Sequence, residues 1–211
     1  MAARTPLSHG TPMTASFSYF RRPPHVMAAA VVALALSAAP AFAQAALTPE
    51  LEAAVQAVQG TGARLFINDH WQAAIDAGAY GIHVGQEDLD ALEGAQLNAI
   101  RASGLRLGVS THGYAEMVRA HAVQPSYIAL GAVFPTTLKK MATAPQGVAR
   151  LQAYVRLMQQ YPLVAIGGIA AEQFPAILAT GVGSIAVVRA LVNAPDPDAA
   201  AQQLLAFIPA S

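Results

Sequence analysis

The sequence predicts an α/β protein built as a TIM (β/α)8-type barrel, ahead of the doubly wound sheet that shares its repeat. Three observations carry this. From Thr48 onward, short apolar runs alternate with helix-like segments, and continuous apolar runs separated by crossovers mark parallel strands buried on both faces. One strand plus one helix recurs every roughly 20–35 residues, the length of a β/α unit. Polar and glycine residues gather just after the runs, at Asn68-Asp69, Gly85-Gln86, Ser110-Thr111, Pro135-Thr136 and Gly167-Gly168. That is the end of a barrel where side chains meet a ligand.

The elements follow in order. Thr48-Pro49-Glu50 opens a helix, with Thr as cap and Pro in the first turn. Leu51, Ala54, Val55 and Val58 share one face of it. Gly60-Thr61-Gly62 ends it, and "RLFIN" (64–68) is the first clear strand. Five more runs read as strands: "GIHV" (81–84), "RLGVS" (106–110), "YIALGAVF" (127–134), "LVAIGGI" (163–169) and "SIAVV" (184–188). Helix-like segments lie at 70–77, 89–102, 114–123, 147–160, 171–180 and 197–207. Six strands are two short of the eight that close such a barrel, and the other two should precede Thr48.

The sequence there has a different character. No Asp or Glu occurs before Glu50, and Arg4, Arg21 and Arg22 are the only formally charged side chains. Arg21-Arg22, the apolar stretch 26–39 and "PAFAQA" (40–45) follow the pattern of a secretory signal, and the stretch is short for a membrane span. Residues 1–46 are therefore expected to be a signal-like segment or a non-native start, and residues 47–211 an incomplete barrel.

Composition narrows the function. The chain is 55% hydrophobic and 11% charged, with 12 basic and 12 acidic side chains. That balance argues against a nucleic-acid surface or a polybasic membrane patch. A chain without Cys has no disulfide, zinc-thiolate site or thiol nucleophile. The six His residues show no metal-ligand spacing.

Several residues carry chemistry a phosphorylated ligand would need. Asp69 ends the first clear strand and Asp88 lies just beyond the second. Neighbouring strands stand about 4.8 Å apart, so both carboxylates can face one hard cation such as Mg²⁺, with phosphate oxygens completing its shell. Asp88 could equally cap a helix starting at Leu89. Gly167-Gly168 follows a strand and precedes a helix, which lets backbone amides approach an anion, and "VVRA" (187–190) repeats the arrangement. "FPTTLKK" (134–140) adds two hydroxyls and two ammonium groups. His83, inside an apolar strand, reads as a packed, hydrogen-bonded histidine. Trp71, Met117 and Met158 read as packing, and His112 suits either the site or its loop.

Together, "FINDHWQAAIDAGAYGIHVGQEDL" (66–89), "LGVSTH" (107–112), "GAVFPTTLKKMATAPQG" (131–147), "VAIGGI" (164–169) and "IAVVRA" (185–190) resemble the thiamine phosphate synthase family. The resemblance implies a cytoplasmic transferase in thiamine biosynthesis, which joins a hydroxymethylpyrimidine diphosphate to a thiazole phosphate and releases diphosphate. Its partners would be those small phosphate and diphosphate substrates, and it could form a homo-oligomer. Carried over, Asp69 and Asp88 would hold Mg²⁺; Asn68, Ser110 and Lys139 would contact the pyrimidine diphosphate and serve catalysis. Thr136, Thr137 and Leu138, with Gly168, Val188 and Arg189, would surround the thiazole phosphate. Leu138 stands where the family usually has Thr, and Arg189 where Ser is frequent. Nothing in residues 1–60 matches the family's upstream Gln-x-Arg-x-x-x-Lys-type motif. Two other readings stay open on these residues: a thiazole tautomerase of the same fold, and a non-catalytic phosphate-ligand-binding remnant.

Overall fold

The computed structural model describes residues 49–137 and 143–208, together with the backbone of two upstream strands, β1 (Thr14–Tyr19) and β2 (Ala30–Ala35). Helix α1 (Pro49–Val58) leads into β3 (Arg64–Asn68), β4 (Gly81–Val84), β5 (Arg106–Thr111), β6 (Tyr127–Leu130), β7 (Leu163–Ala165) and β8 (Ser184–Val187). These six strands pair in sequence order and all run parallel. Between them lie α2 (Trp71–Asp76), α3 (Gln86–Ala91), α4 (Gly94–Ala102), α5 (Tyr114–Ala122), α6 (Gly147–Leu157) and α7 (Phe174–Leu178). After β8 come α8 (Arg189–Val192) and α9 (Pro197–Leu205), the latter capped by Asp196, whose Oδ1 accepts from the Ala199 N–H at 3.0 Å.

Two layers of apolar residues follow from strand alternation, since successive side chains leave a strand on opposite faces. Leu65, Ile67, Ile82, Val84, Leu107, Val109, Ile128, Leu130, Ile185 and Val187 belong to the core between strands and helices. The opposite parity gives a second, smaller cluster of Phe66, Tyr127, Ala129, Val164 and Ala186, with Ile166 packed against it. That is the interior of a curled sheet. Leu51 is fully buried beneath α1, with Ala54, Val55 and Val58 partly buried beside it, as the face assigned from sequence requires. Met117 and Met158 are buried and Trp71 packs on the same core.

The six parallel strands β3 to β8 form a curled array, and the two upstream strands lie at its edges. Ala30–Ala35, within the apolar stretch at 26–39, pairs as a strand parallel to β3. Thr14–Tyr19 pairs antiparallel with both β2 and β8, and the ring so formed has eight strands. In this backbone β2 pairs with the outer edge of β3 and β1 with that of β8. The physical reason is the edge itself, a row of unmet N–H and C=O groups that any available apolar strand can satisfy. Residues 20–29 are also short for a parallel crossover, which takes about a dozen residues or more, whereas an antiparallel partner needs only a turn. Among the described residues no helix is long and apolar enough to cross a membrane.

The segment expected as one helix over 89–102 is two, α3 and α4. Asp88 consequently lies inside the first turn of α3, where Gly85 is the N-cap residue, and not at a cap before Leu89.

Candidate active site

Asn68, His83 and Ser110 share the interior parity of β3, β4 and β5, near the carboxyl ends of those strands. Register places them together: Asn68 pairs with His83 across β3 and β4, and His83 with Gly108, two residues before Ser110, across β4 and β5. All three are half-buried. The imidazole of His83 joins two strands, with Nε2 2.8 Å from the Ser110 Oγ and Nδ1 2.7 Å from the Tyr127 hydroxyl. The packed, hydrogen-bonded role expected for His83 is met, and its partners stand inside the barrel mouth. Burial lowers its pKa from 6.5 to about 4, so the ring is neutral at physiological pH. Burial also raises the Tyr127 phenol.

Asp69 follows β3 with φ 62, the left-handed region that Asp tolerates better than most side chains. Two backbone bonds fix the turn, the Asp69 N–H to the His83 carbonyl at 2.8 Å and the Trp71 N–H to the Asp69 carbonyl at 3.1 Å. The Asn68 amide donates to the Asp69 carboxylate. Asn68-Asp69 thus forms a fixed turn at the end of β3, at the carboxyl end of the sheet. Asp88 is half-buried and has no hydrogen-bond or ion-pair partner among the described residues. Beside it, Gln86 donates from Nε2 to the Ser110 carbonyl at 2.6 Å and so ties α3 to the end of β5. No group of three or more His, Cys, Asp or Glu gathers among the described residues. Two carboxylates after adjacent parallel strands nevertheless suit a hard cation whose remaining ligands are phosphate oxygens and water.

The expected phosphate residues come together from three loops. Gly167 and Gly168 have φ 91 and 68, and a Cβ on Gly168 would lie 2.4 Å from the Pro135 carbonyl oxygen and 2.7 Å from that of Phe134. The glycine therefore sits directly against the loop after β6. The Phe134 N–H donates to the Gly167 carbonyl at 3.0 Å, locking that approach. Across the same opening, the Arg189 guanidinium donates from Nη1 to Thr137 Oγ1 at 3.2 Å. Val188 is the N-cap residue of α8, and Thr136 is half-buried. Leu138 and Lys139 lie outside the described residues.

Two residues that the sequence reading did not single out support these segments, Tyr127 beside His83 and Gln146 beside His112. Tyr127 shares the interior parity of Ala129, and Gly108 leaves the space its ring fills; a Cβ at Gly108 would lie 2.2 Å from Tyr127 Cζ. A Gly in one strand facing a large residue in the next was the available signal. Gln146 is buried, donates to the His112 carbonyl at 2.7 Å and accepts from Arg150 and Tyr154, both at 3.1 Å. His112 is held by Glu116, which accepts from its N–H at 2.6 Å and contacts its Nδ1 at 2.8 Å; its loop role is the one observed.

Comparison with known proteins points the same way. A family model described as thiamine monophosphate synthase matches residues 26–191. A thiamine-phosphate synthase of Neisseria meningitidis serogroup A is 56% identical over 153 residues, covering 72% of this chain and 73% of that protein. One of Cronobacter sakazakii is 58% identical over 156 residues, covering 74% and 73%. Among solved structures, a thiamine phosphate pyrophosphorylase from Pyrococcus furiosus superposes with a TM-score of 0.65 at 28% identity, covering 78% of each chain. A 3-hexulose-6-phosphate synthase, at 20% identity and a TM-score of 0.55, shares the fold alone. With most of its length matched at more than half identity and its motifs meeting at one barrel mouth, the chain belongs to the thiamine monophosphate synthase family.

Proposed function

We propose that this chain is a transferase of thiamine biosynthesis, joining 4-amino-5-hydroxymethyl-2-methylpyrimidine diphosphate to 4-methyl-5-(2-phosphoethyl)thiazole and releasing diphosphate. One observation carries the reading. The Thr137, Gly168 and Arg189 cluster and the Asn68, Asp69 and Ser110 cluster open on the same end of one curled sheet, as two phosphorylated substrates that must react with each other require.

The residues divide the work by chemistry. Ser110, Asn68 and Lys139 contact the pyrimidine diphosphate, Lys139 as a point charge on the leaving group. Thr136, Thr137, Leu138, Gly168, Val188 and Arg189 hold the thiazole phosphate. There Gly168 offers its backbone, and Arg189 adds a guanidinium well shaped for phosphate oxygens. Asp69 and Asp88 fit a bound Mg²⁺, because they supply hard carboxylate oxygens in the segments that follow two adjacent parallel strands. When bound, the ion supplies Lewis-acid neutralisation of the diphosphate. The C–O bond to diphosphate breaks, the aminopyrimidine stabilises the methylene cation left behind, and the thiazole nitrogen forms the new C–N bond. No protein nucleophile is needed, in keeping with a chain that has no Cys.

The test is product formation by the full chain with both substrates and Mg²⁺. Thiamine phosphate and diphosphate in equal amounts are expected. Rearrangement of a thiazole phosphate tautomer supplied alone, with no thiamine phosphate from the pair, would replace this reading with that of a tautomerase.

A further inference from the structure

We infer that His83 is a positioning residue for the proposed transferase: held as its Nε2–H tautomer by the Tyr127 hydroxyl, it fixes the Ser110 oxygen as an acceptor and turns the Ser110 O–H toward the pyrimidine diphosphate. The inference rests on the functional reading above only in naming the substrate that Ser110 meets.

A neutral imidazole has one ring nitrogen that accepts and one that donates. Two hydroxyls compete for the accepting nitrogen, Tyr127 at 2.7 Å from Nδ1 and Ser110 at 2.8 Å from Nε2. A phenol is a far stronger acid than an aliphatic alcohol and therefore the better donor, so Tyr127 takes Nδ1. The proton then resides on Nε2 and is donated to Ser110 Oγ. Ser110 has no other side-chain hydrogen bond among the described residues, and its hydroxyl proton remains available for a substrate oxygen or ring nitrogen. The same choice gives both ring nitrogens of His83 a compatible partner.

The scaffold is built to hold this arrangement. Gly108 makes room for the Tyr127 ring. Phe66 meets that ring edge-on at 5.3 Å between centroids, and the His83 and Tyr127 ring planes lie within 22° of each other. The three residues come from three consecutive strands whose register is fixed by ladder hydrogen bonds.

The experiment combines imidazole ¹⁵N NMR on the full chain with calorimetric binding of the pyrimidine diphosphate. The wild type should show His83 as the Nε2–H tautomer. Tyr127→Phe removes the competing donor while leaving the ring. It should shift His83 toward the Nδ1–H tautomer, as the Ser110 hydroxyl turns to Nε2, and weaken binding of the diphosphate substrate about 10-fold, the scale of one charge-assisted hydrogen bond. Thiazole phosphate binding should not change. His83→Gln can still donate to Ser110 Oγ and should bind more tightly than His83→Leu, which cannot. An Nδ1–H tautomer in the wild type, unaltered substrate binding in Tyr127→Phe, or equal losses in the two His83 variants would each overturn the proposal. Binding without turnover would fell the transferase reading and leave the positioning role supported; absence of binding by the wild type would overturn both.

Discussion

Asp69 shows how a single residue can serve backbone and chemistry together. Its left-handed φ of 62 would strain most side chains, yet Asp and Asn both tolerate it. Asp69→Asn therefore keeps the turn and removes only the charge, as does Asp88→Asn in the first turn of α3. Either change should reduce turnover about 10²-fold or more, about 2.7 kcal/mol of barrier. Measuring rate against Mg²⁺ concentration tests this, and undiminished turnover at low Mg²⁺ would remove the metal assignment. Gly168 makes a second residue-scale case. A side chain there meets both an unfavourable φ of 68 and carbonyl oxygens of Phe134 and Pro135. Gly168→Val should raise the KM for the thiazole phosphate far more than for the diphosphate substrate; equal losses would indicate general misfolding. Asn68, Asp69, Ser110 and Gly168 were legible because each follows or ends an apolar run. Tyr127 was not, because it begins one, and only the register of β5 against β6 brings its hydroxyl to His83.

At the scale of elements, the strands were read more accurately than the helices. β3 and β4 begin and end where the apolar runs do, since alternation and burial both stop there. The run at 127–134 outlasts β6, which ends at Leu130; Val133 and Phe134 instead bond to Ile166 and Gly167 past the end of β7. An apolar run alone cannot distinguish ladder from loop when both are buried. The connection that follows depends on Gln146, whose amide spans the His112 carbonyl, Arg150 and Tyr154. Removing it leaves the buried Tyr154 hydroxyl and the half-buried His112 carbonyl without this partner. Gln146→Leu should cost about 1–3 kcal/mol of stability and loosen the loop bearing Thr136 and Thr137. A fall in urea midpoint with a selective rise in the thiazole phosphate KM would bear this out. An unchanged midpoint would show that water replaces the amide.

For the whole molecule, the parallel array and the end on which the candidate residues gather were legible, because both follow from strand polarity and the order of short apolar runs. How the sheet's edges are met was not, because pairing between distant strands leaves no local pattern in residues 1–46. Interior polarity then sets how the folded state responds to acid. His83 lies against Tyr127 and Ser110, and burial lowers its pKa from 6.5 to about 4 on folding. Below pH 6.5 the unfolded chain takes up a proton that the folded chain refuses, so the unfolded state binds more protons and stability rises with pH. The contribution of His83 is thus fully present above pH 6.5 and is lost as pH falls from 6.5 toward 4. Its slope is at most about 1.4 kcal/mol per pH unit. Carboxylates add their own slope at the acid end of that window, so the informative quantity is the difference between wild type and His83→Gln from pH 6.5 to 5. The wild type should lose stability more steeply over that interval, measured as urea midpoints at constant ionic strength. Parallel curves would mean that the folded protein accepts the proton on His83 as readily as the unfolded chain does, and that the barrel mouth is wetter than its hydrogen bonds indicate.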